Sequence, residues 1–359
     1  MLFLCLKTSV LKVYFMIIRK WHLFFLVILF PGIVEAQDPQ FSQFYATPLY
    51  LNPAFAGASQ LTRVGANYRN QWPSLDANFV SYSAWGDHYF DEKNSGVGLY
   101  VGRDQATVSG LNSTLVAGQY AYQLSLSNLY TLRAGFQAGY TFRNVDFSKF
   151  IFGDQINPDG TIDPTAESFD AGAVNNFFDI GAGLMLYSGR AWLGFSAFHL
   201  NQPNQSLIGE ASPLPRKYST HIGYKFYLTE GTIGEGLFSR PQERSIAPTA
   251  QYKFQGKFDQ LDLGVYVTYE PIIFGIWYRG LPVKSVDGAS NNEAIVFLVG
   301  LSKKTKKEIL NIGYSFDVTL SNLGAQSGGA HEFSIAYAWF SGDPRKPPKN
   351  VRLIPCPNF

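Results

Sequence analysis

The chain has 359 residues and a formal net charge of +2; 46% of it is apolar, 16% aromatic and only 16% charged. Soluble domains carry charge on about a quarter of their residues, and disordered chains are aromatic-poor and highly charged, so neither class fits. A mean hydropathy of −0.04 is too low for a bundle of membrane helices, and two cysteines exclude a disulfide scaffold or a multi-thiolate zinc site.

The first predicted element is an address. Lys7, Lys12, Arg19 and Lys20 precede the apolar run Leu23 to Phe30, then Pro31-Gly32 and the small-residue stretch ending at Ala36. A basic start, an apolar middle and small residues before a cut make a secretory signal, so residues 1–36 are expected to be removed. The run is short for a helical span of roughly 20 residues, although an uncleaved anchor is the alternative, and Met16 offers a more compact start. Losing those four cations and one acid (Glu35) turns +2 into −1. The mature chain thus has no basic excess, and nucleic-acid binding has no electrostatic footprint. Cys5 leaves with the signal, so Cys356 has no partner within the chain.

Residues 37–61 form a proline-punctuated, ring-bearing leader. Asn52-Pro53 and Pro48 disfavour helix at the preceding residue, and Gly57 permits a tight turn. The leader is expected to be extended, docked in a barrel mouth or against its rim, unless it is a mobile terminus. Period-two segments follow, near 62–70, 77–86, 95–103, 110–124, 129–143, 176–188, 189–200, 217–228, 245–256, 260–270, 271–281, 293–303, 307–317 and 330–340. In the last of these, Phe333, Ile335, Tyr337 and Trp339 alternate with Glu332, Ser334, Ala336 and Ala338; Leu261 to Tyr269 alternates likewise. Alternation means strands. A soluble sandwich would carry Lys, Glu and Thr on its second face. Here that face is mostly Gly, Ser, Ala, Asn and Tyr, which suits an antiparallel transmembrane β-barrel of about 14 strands over residues 62–340. Connections after odd-numbered segments, including 144–175, 201–216, 282–292 and 318–329, are mostly longer than those after even-numbered ones. The exceptions are 229–244 and 87–94. Aromatics near segment ends (Tyr68, Trp72, Trp85, Tyr89, Trp277, Tyr278, Trp339, Phe340) are candidates for the headgroup girdles or for cross-strand packing. Arg69 and Arg279 are expected to pair with inner carboxylates such as Asp262 or Asp317, because unpaired charge is costly there. Residues 341–359 hold proline and charge, which oppose further strand, and are expected to form a periplasmic tail.

Catalytic constellations are absent from the pattern. His88, His199, His221 and His331 are isolated, with no H-E-x-x-H and no G-x-S-x-G, so the chain reads as non-enzymatic. Gly96-Val97-Gly98 and Gly181-Ala182-Gly183 sit within alternating segments rather than before a helix, and read as structural. Asn157, Asp159 and Asp163 are spaced like part of a calcium loop, but Gln155 holds the first ligand position, and turn chemistry explains Asn157-Pro158-Asp159-Gly160. No cofactor, metal or small-molecule ligand is expected.

Several ordered motifs carry a resemblance. They are the leader Asp38-Pro39-Gln40-Phe41-Ser42-Gln43-Phe44-Tyr45 through Asn52-Pro53-Ala54-Phe55-Ala56-Gly57, then Tyr68-Arg69-Asn70-Gln71-Trp72-Pro73, Phe274 to Gly280 with Tyr278-Arg279, Gly313 to Asp317, Ser321-Asn322-Leu323, Gly329 to Glu332, and Pro355-Cys356-Pro357. Together they resemble the PorP/SprF family of type IX secretion and gliding proteins. The resemblance implies an outer-membrane barrel that helps export or retain large surface proteins such as adhesins. Its partners would be type IX components, secreted cargo and outer-membrane lipid. A channel for small solutes and a secreted soluble β-protein are the alternatives. The structural or partner motif would then comprise Asp38, Pro39, Phe41, Phe44, Tyr45, Asn52, Pro53, Phe55, Gly57, Tyr68, Arg69, Trp72, Pro73, Tyr278 and Arg279.

Overall fold

The computed structural model describes residues 38–157, 159, 161–165, 173–207, 209, 211–228, 242–286, 289–305, 308–321, 324–341 and 353–357. The expected signal, 1–36, lies outside them, as do 342–352 of the tail. Alternation is realised as strand throughout: β1 (Thr62–Gln71), β2 (Phe79–Phe90), β3 (Ser95–Ala106), β4 (Leu111–Ser125), β5 (Thr131–Val145), β6 (Ala173–Tyr187), β7 (Ala191–Phe198), β8 (Lys217–Tyr224), β9 (Phe226–Tyr227), β10 (Arg244–Gln255), β11 (Phe258–Tyr269), β12 (Ile272–Val286), β13 (Ala289–Lys304), β14 (Glu308–Thr319) and β15 (Ala330–Trp339). Every strand pairs antiparallel with its neighbours. β8 and β9 are one stave interrupted at Lys225, since both pair with β10. β1 pairs with β15 from Thr62↔Trp339 to Gln71↔Ala330, which closes fourteen staves into a barrel. Closure leaves no free edge, and it is one of only two ways a backbone can cross lipid with its polar groups satisfied. Among the described residues no helix is long and apolar enough to cross a membrane.

The parity read from the sequence decides which side chains face out. Leu99, Phe136, Phe178, Phe274 and Phe333 are exposed on the outer surface, while the alternate positions Asn67, Gln119, Gln137, Asp262 and Glu332 are buried inside. An apolar exterior around a polar interior is the pattern lipid demands. Long connections (146–172, 199–216 and 320–329) gather at one end. Short ones (Asp91–Asn94, 126–130, 188–190 and 270–271) gather at the other with Thr62 and Trp339. By that asymmetry the short-turn end faces the periplasm. The exceptions are the long connection 228–243, most of which lies outside the described residues, and the short turns 107–110 and 256–257 at the long-loop end.

Three expectations need correction. The supposed inner loop 87–94 is mostly strand, because β2 runs to Phe90 and leaves a four-residue turn. The loop placed at 282–292 is also strand over its described residues, 282–286 and 289–292. β12 continues through Pro282, and a register shift between Leu281 and Ser285 takes up the proline's missing donor. Trp85, Tyr89 and Trp277 are not girdle residues but lie buried inside, on the same parity as Asp87 and Arg279.

Candidate functional site

The leader lies inside the barrel, and the lumen is the candidate site. A single helical turn, Pro48–Leu51, begins on a proline whose fixed φ suits the first helical position. Asn52 then caps the short turn Pro53–Phe55, its Oδ1 accepting from Ala54 N at 2.9 Å. The leader is thus not the extended arm expected from its prolines but is folded back on itself, because Pro48 and Pro53 start turns at their first positions rather than blocking them. Tyr50 Oη donates to the Pro39 carbonyl at 2.6 Å, and the Tyr50 ring meets Phe41 edge-on at 5.4 Å. Phe41, Phe44, Tyr45, Leu49, Leu51 and Phe55 are all at most 5% exposed. At roughly 1.5–3 kcal/mol for each buried large side chain, that apolar burial gives strong reason for the leader to stay.

Its first residue sits at the long-loop end. Asp38 Oδ2 meets His199 Nε2 at 2.9 Å and Lys217 Nζ at 3.1 Å, and Asp38 N donates to Gln255 Oε1 at 3.1 Å. His199 Nδ1 meets Asp179 at 2.9 Å on its other side. Burial opposes charge on His199, but the flanking carboxylates of Asp38 and Asp179 outweigh it and raise its pKa to about 9. Burial alone would raise the Asp38 carboxyl; His199 and Lys217 instead hold it well below the usual range.

Ser42 is the node of the next layer. Its hydroxyl donates to Asp317 Oδ2 at 2.5 Å and accepts from Arg69 Nη1 at 2.7 Å and Arg279 Nη2 at 3.0 Å. Asp317 Oδ2 also receives Arg69 Nη2 at 2.9 Å and Arg279 Nη1 at 3.0 Å, and Arg279 Nε reaches Asp262 Oδ1 at 2.8 Å. Both arginines therefore pair with inner carboxylates, Arg279 with Asp262 and Asp317 and Arg69 with Asp317. Glu332 completes the layer by accepting the successive amides of Ser42 (2.6 Å) and Gln43 (3.1 Å). Four strands, β1, β12, β14 and β15, thus converge on two leader residues. Each buried charge of this layer has a partner of opposite sign, the condition for tolerating it.

Below this layer the leader's carbonyls are met one by one from the wall. Trp85 Nε1 donates to Ala46 O at 3.1 Å, Gln119 Nε2 to Leu49 O at 2.7 Å, and Ser196 Oγ to Leu51 O at 2.9 Å. Arg133 donates to Ala54 O at 2.9 Å and also to Ala56 O. Trp192 Nε1 donates to Tyr45 Oη at 2.7 Å, and Phe44 packs on Trp277 at 6.0 Å. Two inner glycines create the needed room: a Cβ at Gly183 would overlap Asn52 Oδ1, and one at Gly135 would overlap Ala54 N. At the short-turn end Gly57, at φ +70°, donates its N–H to Asp87, which also holds Arg63. The chain's far end returns here. Ile354 and Cys356 are buried with the leader's apolar residues, and burial pushes the Cys356 thiol up to about 12.

The structure divides the sequence motifs into two groups. Asp38, Pro39, Phe41, Phe44, Tyr45, Asn52, Pro53, Phe55 and Gly57 fill the lumen, and Arg69 and Arg279 hold them there. Tyr68 and Tyr278 have the opposite parity: Tyr68 packs on Tyr82 at 5.2 Å, and Tyr278 bonds to Asn292. Trp72 and Pro73 lie at the long-loop rim, where Trp72 N donates to Gly329 O at 2.7 Å. The motif list passed over Ser42, Gln43, Arg133, His199 and Lys217. Ser42 and Gln43 lay inside the quoted leader, but nothing in a polar pair predicts a network node.

The other histidines are spread out. His221 stacks on Phe55 at 5.6 Å, His88 meets Thr62 at 2.7 Å, and His331 meets Tyr314 at 2.9 Å. No group of three or more His, Cys, Asp or Glu among the described residues is placed to hold a metal. In the loop read against calcium, Asn157 Nδ2 donates to Asp163 and Thr161 donates to Asp159, so these side chains serve one another as turn residues do.

No curated protein matches the chain. Among solved structures it is similar to a FadL homologue of Pseudomonas aeruginosa (10% identity, TM-score 0.42, covering 80% of this chain and 92% of that one). It is also similar to the toluene transporter TodX of Pseudomonas putida (11% identity, TM-score 0.45, 85% and 95%) and to the outer membrane protein Omp33 of Acinetobacter baumannii (10% identity, TM-score 0.37, 78% and 98%). A family model described as type IX secretion system membrane protein PorP/SprF matches residues 33–337, and the chain belongs to that family. It is an outer-membrane protein of type IX secretion.

Proposed function

We propose that this barrel is a non-enzymatic component of the type IX machinery that helps export large secreted proteins, such as adhesins, or holds them at the surface. The observation that carries this reading is the occupied lumen. A channel for small solutes needs a path, and here the leader fills the interior from the Asp38 clasp to Gly57 with residues bonded to the wall. The leader motif serves in this reading as a permanent plug that stiffens the wall.

Partners would then meet the barrel from outside the lumen. Beyond the rim at the long-loop end, Ile151, Ile156 and Ile162 are each about 60% exposed, an apolar surface of the kind that marks protein contacts. In this account residues 1–36 are the export signal, and the end of the chain lies on the periplasmic side, where Ile354 and Cys356 close the short-turn mouth. Deletion of the gene tests the proposal. Surface adhesins should be lost or stranded while permeability to small solutes is unchanged, and affinity purification from detergent-solubilised outer membrane should recover type IX components or cargo. Normal display of every surface adhesin, or a loss of solute uptake on deletion, would overturn it.

A further inference from the structure

The outer wall carries a feature that the plugged lumen does not explain. On β12 to β14 the outward positions are mostly Ile, Leu, Phe, Tyr or Val, but the patch spanning β6 to β11 contains a groove of about 630 Å³. Its centre is the registered row Leu193↔Ile222↔Ala250↔Leu263, in which Ala250 is the small member. One row nearer the short turns, Ala191 pairs with Tyr224, and Pro248 faces Val265. Pro248 has no N–H to give to a neighbouring strand. It lies beside the point where β8 stops and β9 begins, and there Lys225 N turns to Arg190 O at 2.7 Å. The missing side chains and the interrupted stave together produce the depression.

Its position in the bilayer follows from its ends. Tyr130 and Ser188, which border the groove, belong to the 126–130 and 188–190 turns, so it opens at the periplasmic end. Exposed Tyr130 and Tyr269 on this rim mark the headgroup level. Two exposed cations flank it there, Arg190 and Arg244, the latter over the Tyr269 ring at 4.5 Å. Among the described residues neither forms an ion pair. The nearby carboxylates are engaged elsewhere, Glu243 with Lys225 at 2.8 Å and Glu270 with Lys304.

An apolar trough that opens at a rim carrying two exposed guanidinium groups without ion pairs matches one chemistry. The geometry points to a resident phospholipid of the periplasmic leaflet, with an acyl chain in the groove and its phosphate on Arg190 and Arg244. Guanidinium forks suit phosphate oxygens. Lipopolysaccharide belongs to the opposite leaflet and would bring its phosphates to the wrong end.

Native mass spectrometry of the full-length barrel, extracted and washed in mild detergent, tests the site. The wild-type chain should retain a phospholipid, identified after release. Ala250→Phe fills the trough with an apolar group and should lower retention at least tenfold, since about two lost methylene contacts suffice for that factor. Arg190→Gln with Arg244→Gln should lower it comparably while leaving the strand pairs alone, so the site stays testable if Ala250→Phe fails to fold. Val97→Phe, on the opposite wall, should change nothing. Equal retention by wild type and the arginine double variant would overturn the proposal. So would recovery of lipopolysaccharide or of an acylated peptide as the retained species.

Discussion

Asp317→Ala is the sharpest perturbation of the plug. Asp317 Oδ2 receives three donors, from Ser42, Arg69 and Arg279, between 2.5 and 3.0 Å. Its removal leaves Arg279 with Asp262 and Arg69 with a longer contact to Glu332 at 3.4 Å. Breaking a buried ion pair from one side costs about 3–5 kcal/mol, because the surviving charge stays buried. Ser42→Ala removes the leader's share of the same node without creating a charge and should cost about 1–3 kcal/mol. Because the two residues touch, the double variant should show a coupling of about 0.5–3 kcal/mol. Urea unfolding of the barrel in detergent micelles, followed by near-ultraviolet dichroism, measures all three variants. An Asp317→Ala cost below about 1 kcal/mol, or strict additivity with Ser42→Ala, would refute the claim that this node fastens leader to wall.

Other consequences are equally specific. The Asp38–His199 clasp should depend on pH. His199 is raised from 6.5 to about 9, so its contribution is complete below 6.5 and lost as pH climbs through 9. Asp38 is lowered, so its contribution is present above 3.8 and lost as pH falls well below it. The protection factors of amides at residues 38–46, corrected for intrinsic base-catalysed exchange, should therefore fall above pH 9, with on the order of 3 kcal/mol at stake, and His199→Asn should remove this pH dependence; protection in the wild type that stays constant through pH 9 would contradict this. Gly183→Val drives a side chain into Asn52 and should cost at least about 1–3 kcal/mol or expel the leader, read as a lower unfolding midpoint; an unchanged midpoint would mean the leader does not pass there. Cys356 is buried with a raised thiol pKa, so maleimide should label it only after unfolding; prompt labelling of the folded barrel would place the tail elsewhere.

Much of the fold was legible because burial parity is written residue by residue. The alternation of Leu261 to Tyr269 and of Glu332 to Trp339 told both faces correctly, and the demand that buried charge be paired linked Arg69 and Arg279 to Asp317 in advance. Strand ends were less legible. The stretch 282–292 read as a loop, yet β12 runs on through Pro282 with a register shift that accommodates it. Trp85 and Trp277 were read by their place near segment ends, when their parity with Asp87 and Arg279 already pointed inward. The leader's position was not legible at all. A proline-punctuated, ring-rich segment advertises that it will be buried but not against what, and its partners Glu332, Asp317 and Arg279 lie more than two hundred residues away.

The central claim is that a closed outer-membrane barrel carries its own leader as a plug, leaving no aqueous path. Planar-bilayer recording of the full-length purified chain tests it most directly. The account predicts membranes that stay electrically silent after insertion has been verified; a steady, solute-selective conductance from the intact wild-type chain would contradict it.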